Sequence, residues 1–469
     1  METTSSESNG HNGHHRHMPE IGEYTAQVAN EEIRAWFGAP GSWHGKALFV
    51  AGALLVAGIV AFVIRASSDG FDERGPWAYY AAGFAFLLTT VGSAPLVSVA
   101  LRMSKAHWRR GLSRLSELFA ISSIFMLIVY IPLPFMLPVV DDRPSLWINW
   151  HGHAPHIYDS MLLVTTVLCG LAILLIGARP DFAALKHETK GIRRWYYSII
   201  GGNWKGTKKE WQRLRAAQGV LGGLYFMMLI FTQLIVSSDY ALALIPGWKD
   251  SIYPAFYSLT GLQGALAVTL IAMFWVRRTG LQRYISLDQF WGLAKLLLAT
   301  SLLWFYFWWS GFFVFWYGRS VAEVGVLEYM IKGAYLAPFL GAIAFSFFVP
   351  CFFFLIWNPI RKSIRGPAIA ATIVMLGIMF SRVREYVAAF SIPKGMVGST
   401  HIEGILGTNT PDAIDILLLL GILGGSAFFY LVALRIFPAV NIWEQREFTL
   451  LRKVRPYFKR YAVVLGKPD

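Results

Sequence analysis

Apolar residues are concentrated in ten runs, which short polar connections separate. Most of these runs reach the roughly 20 residues that an α-helix needs to cross about 30 Å of hydrocarbon. The pattern predicts an all-α integral membrane protein with about ten transmembrane helices. The predicted helices are 47–64, 77–101, 118–140, 160–178, 216–236, 254–276, 296–318, 333–357, 366–390 and 416–434.

Composition supports a lipid-facing surface. Hydrophobic residues make up 55% and charged residues 15% of the 469 residues, whereas soluble proteins carry about 25% charged residues. The net charge of +14 would suggest nucleic acid binding in a soluble protein. Here the basic residues fall in a few short connections, so we interpret the charge as a signal of membrane topology.

Lys and Arg are dense in every second connection. Segments 102–114, 179–215, 277–283 and 361–365 are basic, and the connections between them contain fewer basic residues. Because basic loops remain in the cytoplasm, the alternation predicts that both termini are cytoplasmic. The opposite ends of the helices are called the outer ends below.

Three regions are predicted along the chain. Residues 1–35 are rich in Ser, Asn, Gly, His and Glu, which predicts a disordered polar tail. Residues 36–440 contain all the apolar runs and form the transmembrane domain. Residues 441–469 are predicted to be a basic cytoplasmic tail.

The cysteines and histidines limit the cofactors that this chain could hold. It has two cysteines, too few for a four-cysteine iron–sulfur cluster, and no CxxCH haem attachment motif. No histidine lies in the middle of a predicted span, where the axial ligands of a haem b would be needed. We therefore expect no haem and no iron–sulfur cluster in this chain.

The outer connection before the fourth span carries the main candidate chemistry. His151, His153, His156, Tyr158 and Asp159 lie within ten residues. Histidine and a partly desolvated carboxylate can exchange protons near neutral pH, as the oxygens of a quinone require. The catalytic candidates are Asp159, His156 and His153. The histidine spacing also permits a metal site, and the segment could equally be a structural loop.

Further polar residues occur at other outer helix ends. Asp239 closes the fifth span and Trp248 follows it, while Arg384 and Glu385 lie near the outer end of the ninth span. Charges inside a membrane are functional candidates, although an Arg–Glu pair can be purely structural.

Two single charges lie near the inner ends of the third and seventh spans. Glu117 and Lys295 have opposite signs, and a charge left in lipid costs about 2.5–3.5 kcal/mol. We predict that they pair between two related helix bundles, on a proton path or as structural charges. Alternatively, each extends separately to the inner head groups.

Several short motifs resemble, in order and spacing, the NrfD/PsrC family of quinone-interacting membrane subunits. The resemblance is closest to the ActC/ActF-type subunits of alternative complex III. The motifs are Ala35-Trp-Phe-Gly38, Lys105-Ala-His-Trp-Arg-Arg110, Arg143-Pro144 followed by Trp147, Pro155 through Asp159, Arg179-Pro-Asp181, Ser238-Asp-Tyr-Ala-Leu-Ala-Leu-Ile-Pro-Gly-Trp248, Ala294-Lys-Leu-Leu-Leu-Ala-Thr300, Trp316-Tyr317, Asn358-Pro359 and Arg384-Glu385.

This resemblance implies a fold, a location and a set of partners. It implies two four-helix bundles with flanking helices in a bacterial cytoplasmic membrane. It also implies a quinone or menaquinone substrate near the outer face, other membrane subunits, and an extracytoplasmic iron–sulfur subunit. The family's aspartate at the start of the fourth span corresponds to Asp159. The expected quinone-binding residues are Arg143, Trp147, Tyr158, Asp239 and Trp248.

The sequence therefore favours a membrane subunit that exchanges electrons and protons between quinone and an iron–sulfur partner. Two alternatives stay open. Gly92-Ser-Ala-Pro95 stands where family members with a quinol site usually have a histidine, which favours a non-catalytic structural anchor. A secondary transporter would also suit two related bundles, although its polar sites would lie nearer the membrane midplane.

Overall fold

A computed structural model of the chain describes residues 26–38, 41–139, 151–152, 154–186, 191–397, 399–402, 407–457 and 460–465. These residues form an all-α integral membrane protein, as predicted, with one β-hairpin near the C-terminus. Within the described residues, nine helical stretches are long and apolar enough to cross a membrane.

The helices of the first half alternate between long spans and short pieces. They are α1 (Ala26–Gly38), α2 (Ser42–Ser68), α3 (Ala78–Thr89), α4 (Pro95–Met103), α5 (Ser113–Glu117), α6 (Phe119–Tyr130), α7 (Leu133–Met136), α8 (Ala154–Leu185), α9 (Ile192–Gly201) and α10 (Lys208–Tyr240).

The second half contains most of the remaining spans. Its helices are α11 (Tyr253–Arg278), α12 (Leu287–Gly318), α13 (Val321–Ile331), α14 (Leu336–Ile343), α15 (Asn358–Arg361), α16 (Arg365–Phe390), α17 (Ala413–Ile436) and α18 (Ile442–Leu451). Two π-helical segments, Ala344–Phe348 and Cys351–Leu355, continue α14. Strands β1 (Arg452–Tyr457) and β2 (Arg460–Leu465) pair antiparallel.

The spans form two groups and a flanking pair. The first bundle contains α3 with α4, α6, α8 and α10, and the second contains α11, α12, α14 and α16. Helix α17 packs against α2 and also against α3 and α6 of the first bundle. This arrangement agrees with the expected two four-helix bundles and flanking helices.

The prediction of one continuous helix over 77–101 is wrong. Helix α3 ends at Thr89 and α4 begins at Pro95, because proline lacks the N–H that an uninterrupted helix would need. Side chains of α10 bind the polar groups that the break frees. The Tyr225 hydroxyl donates to the Gly92 carbonyl at 2.6 Å, and the Gln233 amide donates to Ser93 Oγ at 2.6 Å. A broken helix in an apolar interior needs such partners.

Helices α2 and α17 approach each other through glycine. A Cβ atom added at Gly421 would lie 2.2 Å from the Cα of Gly58. Small residues let two membrane helices meet backbone to backbone. At the outer end of the pair, one nitrogen of Arg65 lies 2.8 Å from both Asp412 and Asp415.

The two predicted tails contain regular structure. Helix α1 begins at Ala26, inside the segment predicted to be disordered, and Ile33 and Phe37 on it are buried. Helix α18 lies in the predicted basic tail and packs against α1 and α8. Neither helix lies in an apolar run, so the hydropathy pattern did not predict them. Both are stabilised by packing against other helices.

Candidate functional site at the outer helix ends

Three hydroxyl groups meet at the outer end of the first bundle. The Tyr130 hydroxyl lies 2.7 Å from the Tyr240 hydroxyl and 3.1 Å from Ser160 Oγ. Tyr130 is the last residue of α6, which ends just before Pro132, and Tyr240 is the last residue of α10. The contact therefore joins three helices, α6, α8 and α10. We call Tyr130, Ser160 and Tyr240 the hydroxyl cluster.

Two predicted site residues lie beside the hydroxyl cluster. Asp159 on α8 is 1% exposed and Asp239 on α10 is 0% exposed. Each directly precedes a member of the cluster in the chain, Ser160 or Tyr240, and each acts electrostatically on the Tyr130 hydroxyl. Buried carboxylates that gather around hydroxyl groups can accept, hold and pass on protons.

His156 lies one helical turn before Ser160. Its side chain is buried, and its backbone carbonyl accepts a hydrogen bond from Ser160 Oγ at 2.7 Å. Tyr158 on the same turn is half-buried. The predicted site residues Arg143, Trp147 and His153 lie outside the described residues.

A second polar cluster, centred on Glu385, lies between α11 and α16. The oxygens of Glu385 accept hydrogen bonds from Tyr253 at 2.9 Å and from Ser381 at 2.7 Å. Arg382 forms an ion pair with Glu385 at 3.0 Å and also lies over the ring of Tyr257. The side chains of Arg382 and Glu385 are fully buried, so the charge of Glu385 is neutralised within the protein.

Two other predicted residues, Trp248 and Arg384, line a cavity in the second bundle. The described residues of its lining include neither Asp159 nor Asp239. The structure thus divides the predicted outer site into the hydroxyl cluster with its carboxylates, the Glu385 cluster and this cavity.

The predicted pairing of Glu117 with Lys295 is wrong. Glu117 is fully buried within the first bundle, where Ser98 and Arg102 donate hydrogen bonds to it at 2.6 and 2.9 Å. Lys295 is exposed on α12, with its ammonium group 3.4 Å from the centre of the Trp291 ring. Glu117 is paired by side chains of α4 in its own bundle, and Lys295 lies against a ring of its own helix, so neither charge needs a partner in the other bundle.

The inner end of the first bundle contains a network that the sequence did not reveal. Arg114 donates to Asp181 at 2.9 Å, and neither side chain is exposed. Glu444 on α18 is also buried, 3.6 Å from Arg102 and 3.5 Å from Arg109. Arg114 and Asp181 lie in polar stretches beside spans, which was a weak signal. Glu444 lies in the segment predicted to be a basic tail, so nothing in the sequence marked it as buried.

Comparison with models of protein families found no match, and a search of curated proteins found no significant relative. The resemblance to NrfD/PsrC subunits therefore stays a prediction that rests on the motifs in the sequence.

Proposed function

We propose that this chain is the quinone-interacting membrane subunit of an oxidoreductase complex. Quinol would be oxidised at the outer end of the first bundle. Its two electrons would pass to an iron–sulfur subunit, and its two protons would leave through side chains of this chain. The bacterial cytoplasmic membrane and the predicted orientation belong to the same proposal.

One observation carries the proposal: two buried carboxylates from different helices, Asp159 and Asp239, each adjoin a residue of the hydroxyl cluster in the chain and act electrostatically on Tyr130. A charge in an apolar interior is costly, so such residues are functional candidates. The Tyr130–Tyr240 contact adds hydroxyl groups that can both donate and accept protons. Asp159 would accept a proton from the quinol oxygen, and the hydroxyl cluster would hold that oxygen or relay the proton.

A structural anchor is the second candidate, and the Glu385 cluster favours it. Arg382 and Glu385 are fully buried and bound to each other, as in a pair that only stabilises the bundle. The break between α3 and α4 would also suit a transporter. However, Tyr225 and Gln233 already bind the polar groups of that break, which a transported substrate would need.

Reduction of the partner's iron–sulfur centre tests the proposal. The complex is purified from its native membranes, a short-tailed naphthoquinol is added, and the centre is followed by electron paramagnetic resonance. Quinol should reduce the centre rapidly in the wild type and slowly in Asp159→Asn. Glu328→Gln, at an exposed position on α13, is the matched control. Two results would favour the structural anchor: a complex that has no iron–sulfur partner, or an Asp159→Asn complex whose centre is reduced as fast as that of the wild type.

A further inference from the structure

A cavity opens at the outer end of the second bundle. One side of it is open to the surroundings, and residues of α11, α12, α13, α14 and α16 line it. Helices α12 and α13 contribute the largest share of the lining.

Aromatic rings form much of the wall. The ring centres of Trp248 and Tyr253 are 4.5 Å apart. Trp308 and Phe312 on α12 are stacked, with 7° between their ring planes. The ring centre of Phe339 lies 6.0 Å from that of Trp308. Flat aromatic walls favour a flat ring as the ligand, since offset stacking adds to the burial of apolar area.

Gly311 leaves the backbone of α12 open to the cavity. A Cβ atom added there would have one neighbour within 4 Å, Asp250 Oδ2 at 3.8 Å. A large side chain at this position would therefore occupy the space that a ligand needs.

Two polar side chains face this space. Arg384 Nη2 is 3.7 Å from Glu385 Oε1, beyond hydrogen-bond distance, and its buried Nε has no hydrogen-bond partner in the described structure. Asp250 Oδ1 accepts the backbone N–H groups of Ile252 and Tyr253, which fixes the carboxyl group in place. Burial raises the pKa of Asp250, although those two N–H groups oppose the shift.

The charges favour a neutral ligand with acceptor oxygens. Arg384 can only donate hydrogen bonds. An anion would be repelled by the carboxylate of Asp250, whereas a carbonyl oxygen could accept from Arg384 without that repulsion.

We propose that this cavity is a second quinone-binding site, with a ring carbonyl on Arg384 and the ring between the aromatic side chains. The choice of a quinone rests on the proposed function, but the cavity and its polar groups do not depend on Asp159. The apolar tail would leave through the open side of the cavity.

Binding of menadione, a naphthoquinone without a tail, tests the proposal. The full chain is placed in phosphatidylcholine nanodiscs, and bound menadione is measured by equilibrium dialysis against empty nanodiscs. Gly311→Leu should lose one class of saturable site. Gly325→Leu is the matched control, because Gly325 on α13 has open space around it and is not in the lining. It should bind as the wild type does.

Two further variants complete the test. Asp159→Asn should remove only menadione binding at the hydroxyl cluster and leave binding in the cavity unchanged. The proposed function and the cavity site can therefore fail separately. If Gly311→Leu is not monodisperse, Arg384→Gln decides, with binding at the cavity site expected to weaken about tenfold or more. Wild-type binding by a monodisperse Gly311→Leu, or by Arg384→Gln in its place, would overturn the inference.

Discussion

The hydroxyl groups of Tyr130 and Tyr240 lie 2.7 Å apart and join the outer ends of α6 and α10. Both residues end their helices, so the contact fixes how two spans of the first bundle meet. The buried residues Asp159 and Asp239 adjoin Ser160 and Tyr240 in the chain and act electrostatically on Tyr130. The two tyrosine hydroxyl groups therefore both hold the helices together and belong to the proposed proton path.

Tyr130→Phe should separate these two roles. The variant should lose about 1 kcal/mol of stability, as for one buried hydrogen bond. Quinol turnover should fall about tenfold or more, with a changed pH–rate profile, if the hydroxyl has the proposed role in proton exchange. Tyr430→Phe is the control, since its buried hydroxyl donates to the Leu115 carbonyl on another helix. If both variants keep wild-type turnover and pH profile, Tyr130 is only structural.

Asp181→Asn should destabilise the chain strongly. The substitution removes the nearest carboxylate from the buried guanidinium of Arg114 and leaves only Glu117, 3.9 Å away. Breaking a buried ion pair costs about 3–5 kcal/mol. Glu328→Gln breaks the exposed Lys332–Glu328 pair instead, which should cost at most about 1 kcal/mol. Denaturant unfolding of the purified chain in detergent measures both. If Asp181→Asn and Glu328→Gln lower the free energy of unfolding equally, burial does not control the strength of these ion pairs.

Gly421→Ala should force α2 and α17 apart. Its Cβ atom would lie 2.2 Å from the backbone of Gly58, and overpacking of this kind costs about 1–3 kcal/mol. Gly219→Ala on α10 meets no atom within 4 Å and should instead stabilise its helix by up to about 1 kcal/mol. Thermal unfolding in detergent should shift in opposite directions for the two variants. A stabilising Gly421→Ala would contradict the close approach.

Glu444 should make the packing of α18 sensitive to acid. Burial opposes its ionisation, but Arg109 and Arg102 outweigh burial and lower the pKa of Glu444 below its ordinary value of 4.5. Because the folded-state pKa is lowered, its contribution to stability is present above pH 4.5 and is lost as the pH falls through the lowered value. Hydrogen exchange of α18 at decreasing pH measures this loss. In Glu444→Gln, hydrogen exchange of α18 should no longer depend on pH in this range. If α18 of this variant still loses protection in acid as the wild type does, Glu444 is not the group responsible.

The sequence predicted the membrane fold well, because ten apolar runs and alternating basic loops are strong signals. It did not predict the break at residues 90–94. Thr, Gly, Ser and Ala are small enough to keep mean hydropathy high, and only Pro95 marked the interruption. The partners of the break, Tyr225 and Gln233, come from a distant part of the chain.

The sequence marked some residues of the candidate site singly, but not their arrangement. Asp159 and Asp239 were recognised as charges at helix ends, and both are buried at the hydroxyl cluster. Tyr130 was not recognised, because a tyrosine at the end of a span resembles an ordinary membrane-interface residue. The partner of Glu117 could not be chosen either, since Arg102 and Lys295 are equally plausible until the helix packing is known.

Quinol oxidation by the Asp159→Asn complex is the most direct test of the proposed function. The complex is purified from its native membranes, and steady-state oxidation of a short-tailed naphthoquinol is measured with an artificial electron acceptor. The account predicts that turnover falls about 100-fold or more, as expected for loss of a general base, while the complex stays intact and Glu328→Gln keeps wild-type turnover. Wild-type turnover by an intact Asp159→Asn complex would contradict the account.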